Sequence, residues 1–355
     1  MLTMLLGLPL AGVWIFGDRP LSVYFDFPPE PGLVDHAPFS WPVFTGLAAL
    51  ILVCLAPFVV RGVRFFRREQ GRRGDSAEVF PVWGWAGILI CAAAWVLDWS
   101  RFDWFAGFQA YPFPFMWLGY ILAVNALCCK RTGNCLMRRK PGFFLLLFPA
   151  SAVFWWFFEY LNRFVGNWYY VGVEMPGPGQ YIGYATICFA TVLPAVWGTA
   201  ELLESFAFFK ETYRNFFVIK PKHPRALAAV ILVIGAVGLF FLGIFPNLLF
   251  PLLWVSPLLI IVCFQVIDGM RHIFSPVRQG DWSSLVCFAA AALVCGFFWE
   301  MWNYYSLARW EYSVPFVHGF KIFEMPLLGY AGYLPFGLEC AAVGGILREL
   351  VFGRD

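Results

Sequence analysis

The chain has 355 residues, of which 61% are hydrophobic and only 13% charged, with a formal net charge of +3. Soluble domains carry about 25% charged residues, so a globular chain with a polar surface is excluded. The apolar residues lie in long unbroken runs, which also excludes a membrane barrel, whose strands alternate in polarity.

Roughly 20 apolar residues cross a hydrocarbon core as a helix. Ten runs are read as spans: 2–17, 41–61, 79–98, 107–128, 142–164, 179–208, 226–243, 246–268, 283–305 and 324–351. The first is short and the last contains breakers, so nine is the lower count. The fold class expected is therefore an all-α, polytopic integral membrane protein. The first run has no basic start and no small-residue cleavage site, so it reads as a retained helix rather than a secretory signal.

Charge orients the chain. Segments 61–75 (Arg61, Arg64, Arg67, Arg68, Arg72, Arg73), 129–140 (Lys130, Arg131, Arg138, Arg139, Lys140) and 209–225 (Lys210, Arg214, Lys220, Lys222, Arg225) are basic. With ten spans they share one face with Arg271, Arg278, Arg348 and Arg354, which places 20 of the 25 Lys and Arg on that side. Arg19, Arg101, Arg163, Arg309 and Lys321 are left for the other. The positive-inside rule then predicts a cell-membrane protein with both termini in the cytoplasm. Basic stretches at helix ends point to topology and anionic lipid rather than nucleic acid.

Residues 1–78 form an N-terminal helix pair, and the remainder repeats itself. In chain order, 79–208 carries Phe113 to Trp117 (FPFMW), Glu159-Tyr-Leu-Asn162, Trp168-Tyr-Tyr170 and Glu174-Met-Pro176. The stretch 226–351 carries Phe250 to Trp254 (FPLLW), Glu300-Met-Trp-Asn303, Trp310-Glu-Tyr312 and Glu324-Met-Pro326 in the same order. Each unit holds four spans, an even number, so the two are parallel across the membrane with an expected pseudo-twofold axis along its normal. The connections 165–178 and 306–323 are long and rich in aromatics, Gly and Pro, and are expected to cap the outer face. Gly329, Gly332 and Pro335 should break the last helix, which membranes tolerate only where protein or water satisfies the freed backbone groups.

Residues three apart share a helix face, so Glu159 and Asn162 point together, as do Glu300 and Asn303. Counting from the cytoplasmic end places both pairs in the outer third of the bilayer. An ionisable group at that depth costs some kcal/mol and turns to the bundle interior. Desolvation favours a neutral carboxyl, which donates a hydrogen bond or a proton. Aromatic neighbours, among them Trp156 and Trp299, offer faces that stabilise a cation. An acid that protonates a double bond, inside a cage that tolerates the carbocation, suits an isoprenoid dissolved in the membrane. The plainer alternatives are that the Glu–Asn pairs bond across the repeat interface, and that Trp168, Tyr170, Trp310 and Tyr312 belong to the interfacial aromatic belt. Glu324 would sit at the start of the last span, where a helix N-terminus favours it. Glu201 and Glu339 sit deeper, while Asp98 and Asp103 flank an outer loop and are expected to be solvated.

The stretch Trp299 to Pro326, WEMWNYYSLARWEYSVPFVHGFKIFEMP, resembles the small-repeat membrane lycopene cyclases and related carotenoid-modifying membrane proteins. These carry Trp-acid, then Trp-x-Tyr, then an acid next to proline, once per multi-helix repeat; Glu159 to Pro176 is a looser copy. The resemblance covers about 30 residues per copy. It implies a parallel-repeat bundle acting on a carotenoid or other isoprenoid, with Glu300 as the first acid, Trp310 and Tyr312 as the aromatic pair, and Glu324 as the later acid.

Other chemistry is unsupported by motif. Phosphate loops, dinucleotide fingerprints and Gly-x-Ser-x-Gly are absent. His36, His223, His272 and His318 lie in loops or at helix ends, which argues against a bis-histidine haem or a histidine metal site. Seven of the ten cysteines fall in apolar runs, and Cys128, Cys129 and Cys135 lack a fourth zinc ligand, so free thiols are expected. No cofactor and no metal are expected. The partners expected are the lipid bilayer and a membrane lipid or isoprenoid, without nucleic acid. Three functions fit: a membrane enzyme acting on an isoprenoid or other lipid through Glu159, Glu300 and Glu324, a proton-coupled transporter of a small substrate, and a scaffold without chemistry.

Overall fold

A computed structural model describes residues 1–29, 34–68, 78–172 and 177–353. Arg72, Arg73, Glu174, Met175, Pro176 and Arg354, used in the sequence readings above, lie outside the described residues. All ten apolar runs are helical. In chain order the helices are α1 (Leu2–Phe16), α2 (Trp41–Arg68), α3 (Val82–Trp99), α4 (Phe113–Thr132), α5 (Leu136–Arg139), α6 (Pro141–Val165), α7 (Pro178–Phe189) and α8 (Val192–Glu204). There follow α9 (Ala207–Thr212), α10 (Pro224–Phe240), α11 (Pro246–Leu249), α12 (Leu252–Ile267), α13 (Ser283–Tyr304) and α14 (Tyr333–Phe352). Proline opens α6, α7, α10 and α11, where its missing N–H is no loss. Gly133 and Gly166, both left-handed, close α4 and α6.

Among the described residues, six helical stretches are long and apolar enough to cross a membrane: Trp41–Arg67, Val82–Trp99, Phe113–Thr132, Pro141–Val165, Pro178–Glu204 and Ser283–Tyr304. The chain is a helical integral membrane protein. The other four runs fall short for local reasons. Helices α1, α10 and α12 are shorter apolar helices. Residues Phe250 and Pro251 separate α11 from α12, and the last run divides into a 3-10 stretch, Leu327–Gly332, followed by α14. The division falls just after Gly332, as expected, whereas Pro335, also expected to break the helix, sits in the first turn of α14. Helix α14 also carries Glu339, Arg348 and Glu349. The fold is not purely helical. Strands β1 (Trp168–Val171) and β2 (Arg309–Tyr312) form an antiparallel ribbon, and β3 (Lys321–Ile322) pairs with β4 (Met325–Pro326).

Helices meet where side chains are smallest. A methyl group added at Gly119 on α4 would stand 2.6 Å from both the Cys91 nitrogen and the Gly87 carbonyl oxygen on α3. One at Gly337 on α14 would stand 2.2 Å from the Phe288 carbonyl oxygen on α13. Backbone approach of this kind is how helices gain contact in a solvent that gives no hydrophobic drive. Helix α2 differs, since its apolar window buries no residue in the bundle. It is held at its ends. The Ser40 amide bonds the Phe316 carbonyl at one end, and Arg61 reaches the carbonyls of Thr212 and Asn215 at the other.

Asp98 corrects an expectation. It is 3% exposed rather than solvated, and its carboxylate accepts a hydrogen bond from the Ser306 hydroxyl. Gln109 and Arg101 donate to the Asp98 carbonyl, and Arg101 also reaches the Tyr305 carbonyl at 2.7 Å. The end of α3 is thereby tied to the loop leaving α13, a contact across some 200 residues that no local pattern announces. Asp103 is exposed, as expected.

Substituting Gly119→Ala should push α3 and α4 apart and cost about 1–3 kcal/mol, as overpacking does. Gly46→Ala, on α2 with nothing within 4 Å, should be neutral. Thermal melting in one detergent compares them directly, and equal midpoints would contradict the packing described.

Candidate functional site

Glu159 lies on α6 with 5% exposure, and its Oε1 accepts three hydrogen bonds. The donors are Trp155 Nε1 at 3.0 Å, Trp168 Nε1 at 3.0 Å and the Tyr170 hydroxyl at 2.6 Å. Glu300 lies on α13, wholly buried, and its Oε1 accepts the hydroxyls of Tyr312 at 2.7 Å and Tyr333 at 2.6 Å. Its Oε2 has no partner among the described residues. Both side chains point into the bundle, where a carboxyl oxygen is stable only with donors aimed at it.

The asparagines position those donors. Asn162 gives its Nδ2 to the Trp168 carbonyl at 2.7 Å, and its Oδ1 accepts the amides of Asn167 and Trp168. Asn303 gives its Nδ2 to the Trp310 carbonyl at 2.8 Å and takes the Trp310 amide at 2.8 Å. Each amide side chain thus satisfies the first residue or two of a strand from one turn beyond the acid. The Glu-x-x-Asn spacing is explained by this division of labour. The acid fixes a tyrosine side chain, and the asparagine fixes the backbone carrying it.

Ribbon pairing places Trp168 opposite Tyr312 and Tyr170 opposite Trp310. Strand side chains alternate with period two, so these four share one face. That face meets the bundle. The other face carries Tyr169, whose hydroxyl donates to Glu311 at 3.1 Å, and Arg309, paired with Glu311 at 2.8 Å. Trp-x-Tyr is therefore a strand signature here.

Beneath the ribbon is a cavity of about 420 Å³. Trp155, Trp168, Tyr170, Trp310, Tyr312 and Tyr333 line it, so the direct donors to both carboxyls form its wall. The acids themselves are not in that wall. They sit behind their tyrosines. Trp254, Trp299 and Phe113 add aromatic faces, and Leu47, Leu50 and Ile51 of α2 close one side. The Trp299 ring lies 6.5 Å from Trp155 and the Trp168 ring 5.5 Å from Trp254, both pairs tilted, so aromatic contacts join the two clusters. No charged side chain lines the cavity among the described residues.

Of the residues singled out by sequence, Glu159, Asn162, Trp168, Tyr170, Trp299, Glu300, Asn303, Trp310 and Tyr312 come together here. Trp156 does not. Its indole donates to Thr186 at 2.9 Å and its ring packs on Phe27 and Phe189. Glu324 also stands apart, in the turn between β3 and β4 and paired with Lys321 at 3.3 Å. Glu201 caps α5 through the Leu136 amide and pairs with Arg139, and Glu339 accepts the Leu258 amide at 3.0 Å. Tyr333, Trp254 and Asn167 were missed. Tyr333 stands two residues before Pro335 in the broken last helix, and that break was the signal that pointed towards it. No family profile, curated protein or solved structure matches the chain.

Segment 34–40 is tied through His36 to the end of α6 and to the chain just after β2. The His36 Nε2 donates to the Val165 carbonyl at 2.7 Å, which leaves Nδ1 to accept from the Ser313 hydroxyl at 2.6 Å. Burial pushes the His36 pKa below its ordinary 6.5, against the opposing pull of the Val165 bond and Asp35. His318 is the other titrating group that faces it. A depressed histidine pKa means the unfolded segment takes the proton first. Docking is then fully stable above about pH 6.5 and weakens as pH falls from there towards the lowered value. Protection of the amides of residues 34–40 against hydrogen exchange, taken relative to the intrinsic rate at each pH, should fall from about pH 7.5 to about pH 5.5, and a His36→Asn variant should lose that pH dependence. Separately, Asn303→Ala strips partners from the Trp310 amide and carbonyl, at about 1–3 kcal/mol for each buried group. Its Trp310 amide should exchange faster than in the wild type while the end of α3 stays protected.

Proposed function

We propose that the protein is an enzyme of the cell membrane that moves protons on an unsaturated isoprenoid or similar apolar lipid held beneath the ribbon. The observation that carries this reading is that two buried carboxyls are each bonded to a tyrosine, and both tyrosines face one apolar cavity. The resemblance to carotenoid-modifying membrane proteins points the same way. Apolar cavities of a few hundred Å³ with a few convergent polar groups are the usual form of a small-molecule site.

The chemistry is a balanced proton shuttle. One carboxyl–tyrosine pair delivers a proton to an alkene carbon, so that a C–H bond forms and the π bond becomes a carbocation on the neighbouring carbon. The faces of Trp155, Trp168, Trp299 and Trp310 lower the energy of that cation. The second pair removes a proton from an adjacent carbon, restoring a double bond at a new position or after ring closure. Nothing is oxidised. Three donors converge on one oxygen of Glu159, and this reading assigns it as the acceptor. Glu300, with two donors and a bare Oε2, is the proton source. The tyrosines touch substrate, and the glutamates act through them.

The reading includes ten spans, two parallel four-helix units (79–208 and 226–351) and cytoplasmic termini. Support for the duplication lies in matched bonds: Glu159 to Tyr170 and Glu300 to Tyr312, Asn162 to Trp168 and Asn303 to Trp310. A ribbon register that sets each tryptophan against the other strand's tyrosine is what a twofold axis through its centre would produce. The Leu47–Ile51 side of the cavity belongs to a helix surrounded by lipid, which suits sideways entry of substrate.

Glu300→Gln keeps an acceptor for Tyr312 and Tyr333 but carries no transferable proton. Loss of a general acid typically lowers a rate by about 10²–10⁴-fold. Cells expressing the wild type and this variant should therefore differ in one pair of apolar lipids, separated by chromatography and identified by mass spectrometry because isomers share a mass. Identical lipid profiles would end the enzymatic reading.

A further inference from the structure

Asn167, in the link between α6 and β1, is 3% exposed and lines the cavity. Its backbone is fully used, since the amide donates to Asn162 at 2.7 Å and the carbonyl accepts Ser313 at 2.9 Å. Its side chain is not. Its Oδ1 is buried without a partner among the described residues. An unpaired buried amide oxygen is costly, and native chains seldom retain one without a use. Nearby polar groups on the wall are already committed: Tyr170 to Glu159, Tyr312 and Tyr333 to Glu300, and Tyr184 to the Ala110 carbonyl.

We propose that Asn167 anchors a neutral hydroxyl at the ribbon end of an otherwise apolar ligand, so that the cavity takes a long-chain lipid alcohol. This rests on the cavity being the substrate site, as argued above, and narrows what enters it. A hydroxyl both donates and accepts, so it pairs with the carboxamide in either orientation. A phosphate, carboxylate or ammonium headgroup does not fit, because a wall without a charged side chain leaves the charge unpaired. A pure hydrocarbon fits the walls but leaves the amide unsatisfied. The anchor lies beside segment 34–40, since His36 bonds Val165, two residues before Asn167, and Ser313, whose amide bonds the Asn167 carbonyl. The hydroxyl end therefore sits under the ribbon with the chain extending towards α2 and α12.

The test is competition against a photoactivatable long-chain alcohol bound to the purified full-length protein in nanodiscs. Geranylgeraniol should displace it about tenfold better than the saturated hydrocarbon of the same skeleton, a ratio equivalent to ~1.4 kcal/mol. In Asn167→Leu the two competitors should become equal, with hydrocarbon binding retained. Equal competition in the wild type overturns the anchor and leaves the cavity reading standing. Failure of both competitors to displace the probe overturns the cavity reading together with the anchor. A tenfold preference that survives in Asn167→Leu also overturns the anchor. The wild-type comparison decides even where the variant does not fold.

Discussion

A carboxyl oxygen inside an apolar bundle must be given hydrogen-bond donors, and much of the outer half of this molecule follows from that requirement. Helices α6 and α13 cannot supply enough donors themselves, because their backbone N–H groups are used in their own ladders. Trp155 is the only helical neighbour that reaches Glu159 from within α6. The remaining donors come from the chain after each helix, which has to turn back over the bundle to present them. A two-stranded ribbon does this economically, since alternate residues fall on one face and a Trp-x-Tyr triplet delivers two donors at once. Strands in turn expose amides and carbonyls, and Asn162 and Asn303 satisfy those nearest the helix ends. Acid, asparagine and ribbon form one interdependent unit.

The same arrangement explains why a reactive group can coexist with an apolar cavity. A carboxyl set directly in the wall would need water or a counter-charge in the cavity itself. Behind a tyrosine it keeps its hydrogen bonds whether or not the cavity is filled, and only the hydroxyl meets the contents. Aromatic rings make up much of the remaining wall, so the cavity offers electron-rich faces without mobile solvent. Helix α2 gives the one wall that belongs more to the bilayer than to the bundle, as its lack of buried residues shows.

Much of this was legible in the sequence. The Glu-x-x-Asn pairs, their inward direction and the later Trp-x-Tyr triplets recur in order, and order is a strong signal even where each motif is short. The apolar runs located every major helix, and Gly329 and Gly332 announced the break before α14. What could not be read was contact between distant segments. Asp98 looked like a solvated loop residue because nothing nearby in sequence needs it, whereas Ser306 does. Trp-x-Tyr gave no sign of a strand because four residues are too few for a strand pattern to stand out from aromatic enrichment. Tyr333 reaches Glu300 across 33 residues, and Asn167 carries no pattern at all. Its role depends on what its side chain does not touch.

The two clusters are alike in plan and unlike in detail, and the differences are where function would reside. In the first, the strand tryptophan donates straight to Glu159. In the second, Trp310 donates to the Tyr312 hydroxyl at 2.8 Å instead, and Tyr333 from α14 takes the vacant place on the acid. Trp310 thus orients Tyr312 by occupying an oxygen lone pair, which polarises its hydroxyl towards Glu300. Trp168, the counterpart of Trp310, is instead spent on Glu159 directly. A pair of sites that must give a proton at one and take it at the other needs two environments, and under the proposed duplication a redirected indole and one added tyrosine are enough to make them.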